Sequence, residues 1–415
     1  MSIIIGGSLL SCNGTPEESN RARMDKNEII GQANPVIENG IMTPEVLHSF
    51  GRVGSFEVSP DKTSLLYQVT YVSIPQNKSN SELFIMKSDG SEKRRLTVTN
   101  ISESNPHWIN KGKKIAFLGS ETGSSQIWSM NPDGGGMTKL SDVDGDIEGF
   151  KFSPDETKVL FIKSVKSVDT ASDRYSDLQK ASGRVVDDLM YKHWDHWVES
   201  VPHPFVADVS GNKLTNIKDL LEGEPYEAPL APFGGIEQLA WSPDSKIVAY
   251  TSKKKTGREY AESTNSDIYF YNLESGEVKN MTEGMMGYDI NPTFSPDGTM
   301  LAWQSMERDG YEADKNRLFV MNLATGEKTD LTENFDNNCD TYIWGEDNST
   351  IYMVSSVNGT SQIYSVTLAT KEIKALTEGK HNYLSIALGA DGIIASRQSM
   401  SQPTEIYSVN LNTGE

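Results

Sequence analysis

Cysteine is nearly absent from this chain of 415 residues, which has two, Cys12 and Cys339. Cys12 falls in an amino-terminal segment read below as cleaved and modified, so no internal disulfide is available and the fold has to rest on packing. Cys339 reads as a small buried residue. Positive charge is scarce too: 38 Lys and Arg against 58 Asp and Glu leave a net charge of −20. That argues against nucleic acid as a partner, because neutralising phosphates takes a basic surface. An acidic surface serves solubility and also attracts a free amino terminus or another basic ligand. No run of about 18 apolar residues occurs, so no segment reads as a membrane span. Sequence signatures of cofactors and of nucleophiles are missing as well. There is no G-x-G-x-x-G after a strand, no P-loop, no HEXXH and no G-x-S-x-G nucleophile elbow. The nearest window to the last, Gly119-Ser120-Glu121-Thr122-Gly123, lacks Ser at its third position. No cofactor, no metal and no catalytic residue are expected in this chain.

What the chain does have is a repeat. Ser-Pro-Asp recurs at Ser59-Pro60-Asp61, Ser153-Pro154-Asp155, Ser242-Pro243-Asp244 and Ser295-Pro296-Asp297. Three degenerate copies begin at His107-Trp108, Ile343-Trp344 and Ala387-Leu388, which makes seven units. A period of roughly 45 to 50 residues points to a propeller or a solenoid. After the phrase each unit carries a second apolar stretch, such as Ile115-Ala116-Phe117 or Leu301-Ala302-Trp303, and most carry a third, such as Ile127-Trp128-Ser129-Met130. Five then close on a short polar segment ending Leu96-Thr97, Leu140-Ser141, Met281-Thr282, Leu331-Thr332 or Leu376-Thr377. Four short strands punctuated by turns describe one antiparallel blade, so the expected fold is all-β, a seven-bladed β-propeller. The phrase itself is hairpin chemistry: Pro presets φ, Asp bonds its own backbone, and a following Gly or Asn tolerates φ > 0. It is read as scaffold, not as a site.

The amino terminus carries an address. Ile3-Ile4-Ile5-Gly6-Gly7-Ser8-Leu9-Leu10-Ser11-Cys12 is a short apolar run ending like a bacterial lipobox, although no Lys or Arg precedes it. The expectation is a signal segment over residues 1–12, lipid on Cys12, a polar flexible tether over 13–41, and the propeller over 42–415. This places the protein in the bacterial cell envelope, in the periplasm, anchored rather than spanning.

The repeats are evenly spaced except between Pro154 and Pro243, where the interval nearly doubles. An insertion at about 164–204 in blade three accounts for it, and insertions on a rigid scaffold are where function concentrates. Its span Tyr191-Lys192-His193-Trp194-Asp195-His196-Trp197-Val198-Glu199 gathers aromatic, His and carboxylate side chains. Three readings compete: a metal site on His193, Asp195 and His196; a structural rim; and a ligand-facing loop. In the last, Trp194 and Trp197 wall a pocket, His196 stands beside them and Glu199 meets a cation. A second acidic group, Glu222, Glu224 and Glu227 around Pro225 and Tyr226, reads as a solvated loop.

These blades resemble a known family, together with the insertion, the connection Glu222-Gly223-Glu224-Pro225-Tyr226-Glu227-Ala228-Pro229 and the segment Ser263-Thr264-Asn265-Ser266-Asp267-Ile268-Tyr269. They look like the propeller half of bacterial dipeptidyl-peptidase 5, a serine exopeptidase of the prolyl-oligopeptidase family. The similarity runs from about Met42 onward, and the aromatic-rich insertion is more specific than the turn phrase. It implies a propeller that caps an α/β-hydrolase domain, gates access to it and helps seat the peptide's amino terminus. In related dipeptidyl peptidases a blade insertion supplies paired Glu residues for that amine; here Glu199 stands alone, and it is the expected anchor. The Ser-His-Asp triad that the resemblance implies has no counterpart in this chain. The last unit stops at Asn412-Thr413-Gly414-Glu415, where units four to six continue into a closing strand. The expectation is an incomplete seventh blade, a chain cut before its hydrolase domain, and no activity by itself. Expected partners are a peptide substrate and that hydrolase domain, and a homodimer is left open. The competing reading is a TolB-like periplasmic lipoprotein that binds protein partners.

Overall fold

The computed structural model describes residues 29–414. The signal run and Cys12 lie outside them. Of the segment read as a tether, residues 29–41 form no helix or strand and hold one turn, and Ile30 is buried.

Seven small antiparallel sheets follow one another along the chain. Blade one is built from Arg52–Val58, Ser64–Ser73, Lys78–Lys87 and Arg94–Arg95, each strand paired to the next. Blades two, four, five and six repeat that order. Blade three does so with a break: its second strand, Lys158–Lys166, pairs with Ser200–Ser210 across the insertion. Blade seven has three strands among the described residues, Asn382–Leu388, Gly392–Ser399 and Gln402–Asn410. The all-β, seven-bladed reading of the repeat is what the structure shows, and the doubled interval is an insertion in blade three.

A sheet buries apolar faces only against another layer, and here each blade uses its neighbours. One core lies at each interface. Leu66, Leu83 and Leu96 of blade one meet Ile115, Phe117 and Met130 of blade two. The same arrangement recurs between each later pair. The ring closes where Leu65, Tyr67 and Val69 of blade one meet Ile394 of blade seven. Between some inner strands an indole adds a staple. Trp241 Nε1 donates to Lys151 O at 3.1 Å and Trp344 Nε1 to Thr293 O at 3.3 Å, each bond crossing to the preceding blade.

The closing Leu-Thr dipeptide has a defined task. In five blades the Thr or Ser hydroxyl accepts a backbone N–H from within the third strand, 14 residues earlier. Leu318 N reaches Thr332 Oγ1 at 2.9 Å, and Thr332 is fully buried. Thr332→Val keeps the shape but leaves that N–H without a partner, an expected cost of about 1–3 kcal/mol. A lowered urea midpoint at unchanged m-value would report it; an unshifted midpoint would contradict the role.

The Ser-Pro-Asp turns also behave as one set. In each, the Ser hydroxyl donates to the Asp carboxylate at 2.6 to 2.7 Å, and that carboxylate accepts a backbone N–H two residues on. These bonds hold the Asp carboxyls below their ordinary range. The residue after Asp is left-handed, with φ of 60° at Lys62, 57° at Glu156, 63° at Ser245 and 71° at Gly298. Only the last is glycine, where the sequence pattern called for Gly or Asn. The side chains explain the departure. Glu156 accepts from the backbone of Asn110 and Lys111 in blade two, and Ser245 accepts from Asp155 N in blade three. A left-handed residue costs about 1–2 kcal/mol, which such bonds offset.

Candidate functional site

In an antiparallel blade the loops between second and third strands lie at the end opposite the Ser-Pro-Asp turns, with the connections between blades. Three such segments therefore converge: the blade-three insertion, the connection from blade three to blade four, and the blade-four loop that carries the short helix Gly257–Glu262. They enclose a cavity of about 290 Å³. Its walls are mainly apolar and aromatic, with Val185, Val186, Trp197 and Val201 on one side and Tyr226 and Tyr260 on the other.

The insertion reaches this cavity through a hairpin of two short strands, Lys192–His193 and His196–Trp197. Trp194 turns it at φ 51°. The hairpin splits the aromatic cluster. Trp197 and Glu199 line the cavity. Trp194 does not; it packs on Phe233 at 5.0 Å between ring centres and borders a neighbouring cavity. His196 points to solvent beside Asp195, at 3.2 Å, and touches neither space. Among the described residues no group of three or more His, Cys, Asp or Glu side chains is placed to hold a metal ion.

Glu199 meets a cation from its own chain. Arg184 Nε donates to Glu199 Oε1 at 2.8 Å, while its guanidinium lies 4.3 Å from the Trp197 ring centre. Lys192 also lies over that ring, at 4.6 Å. Both partners of the ion pair are partly exposed, so water weakens it and the pair can part cheaply.

Glu227 is a different kind of group. The reading of its segment as a solvated loop holds at Glu222, which is exposed, and is corrected at Glu227, which is 4% exposed. Ala228 N donates to Pro202 O at 2.9 Å, and Ser252 Oγ to Glu227 O at 2.8 Å, which draws the segment between blades three and four. The carboxyl lines the cavity, and the Tyr260 hydroxyl donates to its Oε1. Burial pushes its pKa up to about 7, against the opposing pull of that hydroxyl and of Lys253. Lys253 itself donates to the carbonyls of Tyr260 at 3.1 Å and Ser263 at 3.0 Å, and burial lowers its pKa. The carboxyl thus has the Tyr260 hydroxyl and the Ala231 backbone as donors and a cation only at a distance, in a mainly apolar space open to a ligand. A ligand ammonium placed there would gain a charge-assisted bond in a low-dielectric site. Nothing in Glu-Gly-Glu-Pro-Tyr-Glu distinguishes Glu227 from its neighbours by charge. The signal was its flanks, where Tyr226 and Ala228-Pro229 supply apolar residues to either side.

Residues 237–415 match the family model described as TolB beta propeller domain. Dipeptidyl-peptidase 5 of Porphyromonas gingivalis is 47% identical over 373 residues, 90% of this chain and 54% of that protein. Dipeptidyl-peptidase 5 of Porphyromonas endodontalis is 45% identical over 377 residues, 91% of this chain and 55% of that one. The chain therefore spans about half the length of the curated relatives it matches. Among solved structures, an acylaminoacyl peptidase of Pyrococcus horikoshii is similar at a TM-score of 0.65 and 17% identity, over 87% of this chain and 52% of that one. The β-propeller domain of the trilobed protease of Pyrococcus furiosus gives 0.58 and 15%, over 86% and 95%. At such identities the structures speak for the fold, and the sequence likeness is to about half of each Porphyromonas dipeptidyl-peptidase 5.

Proposed function

We propose that this propeller receives the free amino terminus of a peptide in the cavity between blades three and four. Glu227 is the anchoring carboxylate, and Glu199 is a second one, released when Arg184 swings away. Joined to an α/β-hydrolase domain, such a propeller gates access and presents the amino terminus, so that the assembly removes dipeptides as a serine exopeptidase. Two similar proteins are dipeptidyl peptidases by name. The observation that carries the reading is Glu227: a buried carboxyl in a mainly apolar cavity, with no cation within ion-pair distance among the described residues. Calorimetry of this chain with a tripeptide amide and its N-acetyl form tests it. The free amine is expected to bind at least about tenfold tighter, the return of one charge-assisted hydrogen bond; equal affinities overturn the reading. A second reading, a TolB-like module that binds protein partners, takes its support from the TolB family match. That reading expects no preference between the two peptides.

A further inference from the structure

A second cavity, of about 620 Å³, adjoins the first. It lies beyond the insertion hairpin, between Trp194, Lys253 and the blade-five loop at Gly310 and Tyr311. The two spaces share three lining residues, Met190, His193 and Tyr260. The rings of His193 and Tyr260 stack, 6.2 Å apart and 16° from parallel. Tyr260 is the fixed leaf of this pair. Its hydroxyl is on Glu227, its carbonyl accepts from Lys253 Nζ, and its ring lies under that ammonium at 3.7 Å. The helix that carries it is tied at its end to blade five, where Ser263 Oγ donates to Asp309 Oδ1 at 2.7 Å. His193 is the looser leaf, on a two-residue strand of the hairpin.

We propose that Met190, His193 and Tyr260 form a partition that ends the first cavity just past the anchoring carboxylate and so shuts out peptides whose amino terminus carries an acyl group or any further atoms. This rests on the proposed anchoring by Glu227 but adds a separate device. Loss of charge disfavours a blocked amine at the carboxylate, and the partition disfavours it sterically, an element built against the wrong ligand. The space behind the partition is large enough to take what the partition rejects. It is lined by Lys192 and Lys253, and also by Glu262, which pairs with Arg258, and by Glu312; an acyl group ending in a carboxylate would gain from the two ammonium groups once the wall is gone.

The experiment compares a tripeptide amide in three forms, free, N-acetyl and N-succinyl, binding to the wild-type chain and to a Met190→Ala/His193→Ala variant. Tyr260 is left in place because it touches Glu227. The expected result is that the variant binds the N-succinyl peptide about tenfold tighter than wild type does, so that its affinity relative to the free-amine peptide rises. An N-succinyl affinity that stays at the wild-type value, while wild type still prefers the free amine over the N-acetyl form, overturns the partition and leaves the anchoring intact. Equal binding of free and N-acetyl peptides by wild type overturns the anchoring instead, and a gain for N-succinyl in the variant would then uphold the partition alone. Should the double variant not fold, Met190→Ala and His193→Ala carry the same test singly, each with an expected gain of about threefold.

Discussion

Glu227→Gln is expected to weaken the binding of a free-amine peptide by about 30-fold or more, a loss of about 2 kcal/mol or greater. Gln keeps the size of Glu and keeps an oxygen for the Tyr260 hydroxyl, so the cavity retains its shape and loses only its charge. The N-acetyl peptide, which brings no ammonium, should bind the variant and the wild type alike. Titration calorimetry of both peptides reads the two effects side by side, and a loss smaller than about threefold for the free amine would remove Glu227 from the anchoring role. The pH dependence follows in sign. Burial holds the Glu227 pKa at about 7 in the free chain. Below that the carboxyl is mostly protonated, and an ammonium has to displace the proton; affinity therefore rises with pH up to about 7. Above about 7.7 to 8.0 a peptide's terminal amine loses its own proton, and affinity falls again. The expected profile is a bell with its maximum between those values, flattened on the acid side in Glu227→Gln.

The largest effect on stability is expected at Trp303. Its side chain is fully buried at the interface of blades four and five and stacks on Phe319 at 5.5 Å. Its Nε1 donates to Asp289 Oδ1 at 2.8 Å, and Asp289 is itself fully buried, with a carboxyl that burial pushes up to about 7. Trp303→Ala opens a cavity worth about 3–5 kcal/mol. It also strips a buried carboxyl of a donor, a further cost of about 1–3 kcal/mol. The sum is comparable to the whole stability of an ordinary domain, so the variant is expected to lose the cooperative urea transition of the wild type at room temperature. Trp303→Phe separates the causes, since it keeps much of the volume and deletes only the N–H. Adding Asp289→Asn to it should restore part of the loss, because the group left without its donor is then neutral. A Trp303→Ala protein within about 1 kcal/mol of wild type would show that this core can collapse around the gap, contrary to the packing seen here.

The blades were legible in the sequence because everything that defines them is local. Ser59, Pro60 and Asp61 close their turn with bonds that span a few residues, and in five blades the Thr or Ser that bonds the third strand lies 14 residues from its partner. The insertion was legible as an interruption of that metre. The site was legible only in outline. Trp197 and Glu199 were singled out and line the cavity, whereas Trp194 and His196 belong to the same aromatic run and lie outside it. The difference is where a tight hairpin, turned at Trp194, sets each side chain, which no composition records. Glu227 was passed over for a longer-range reason. Its burial depends on Tyr260, 33 residues on, and on Pro202 in a strand of blade three. Charge and spacing do not carry such information; the meeting of three loops does.

The turns at the far end of the molecule bear on how such a ring can change over generations. Three left-handed residues are seated on the turn of the blade before: Glu156 on Asn110, Ser245 on Asp155, and Asn348, at φ 55°, on Asp297. A side chain at Gly112 would meet Pro60 at 3.4 Å, and one at Gly298 would meet Pro243 at 3.5 Å. The blade is therefore not an independent cassette. Moved to another place in the ring, it would bring the wrong residue to its neighbour's turn, so a functional exchange has to carry the adjoining turn with it, and substitutions at these positions are paired choices made across the gap between blades.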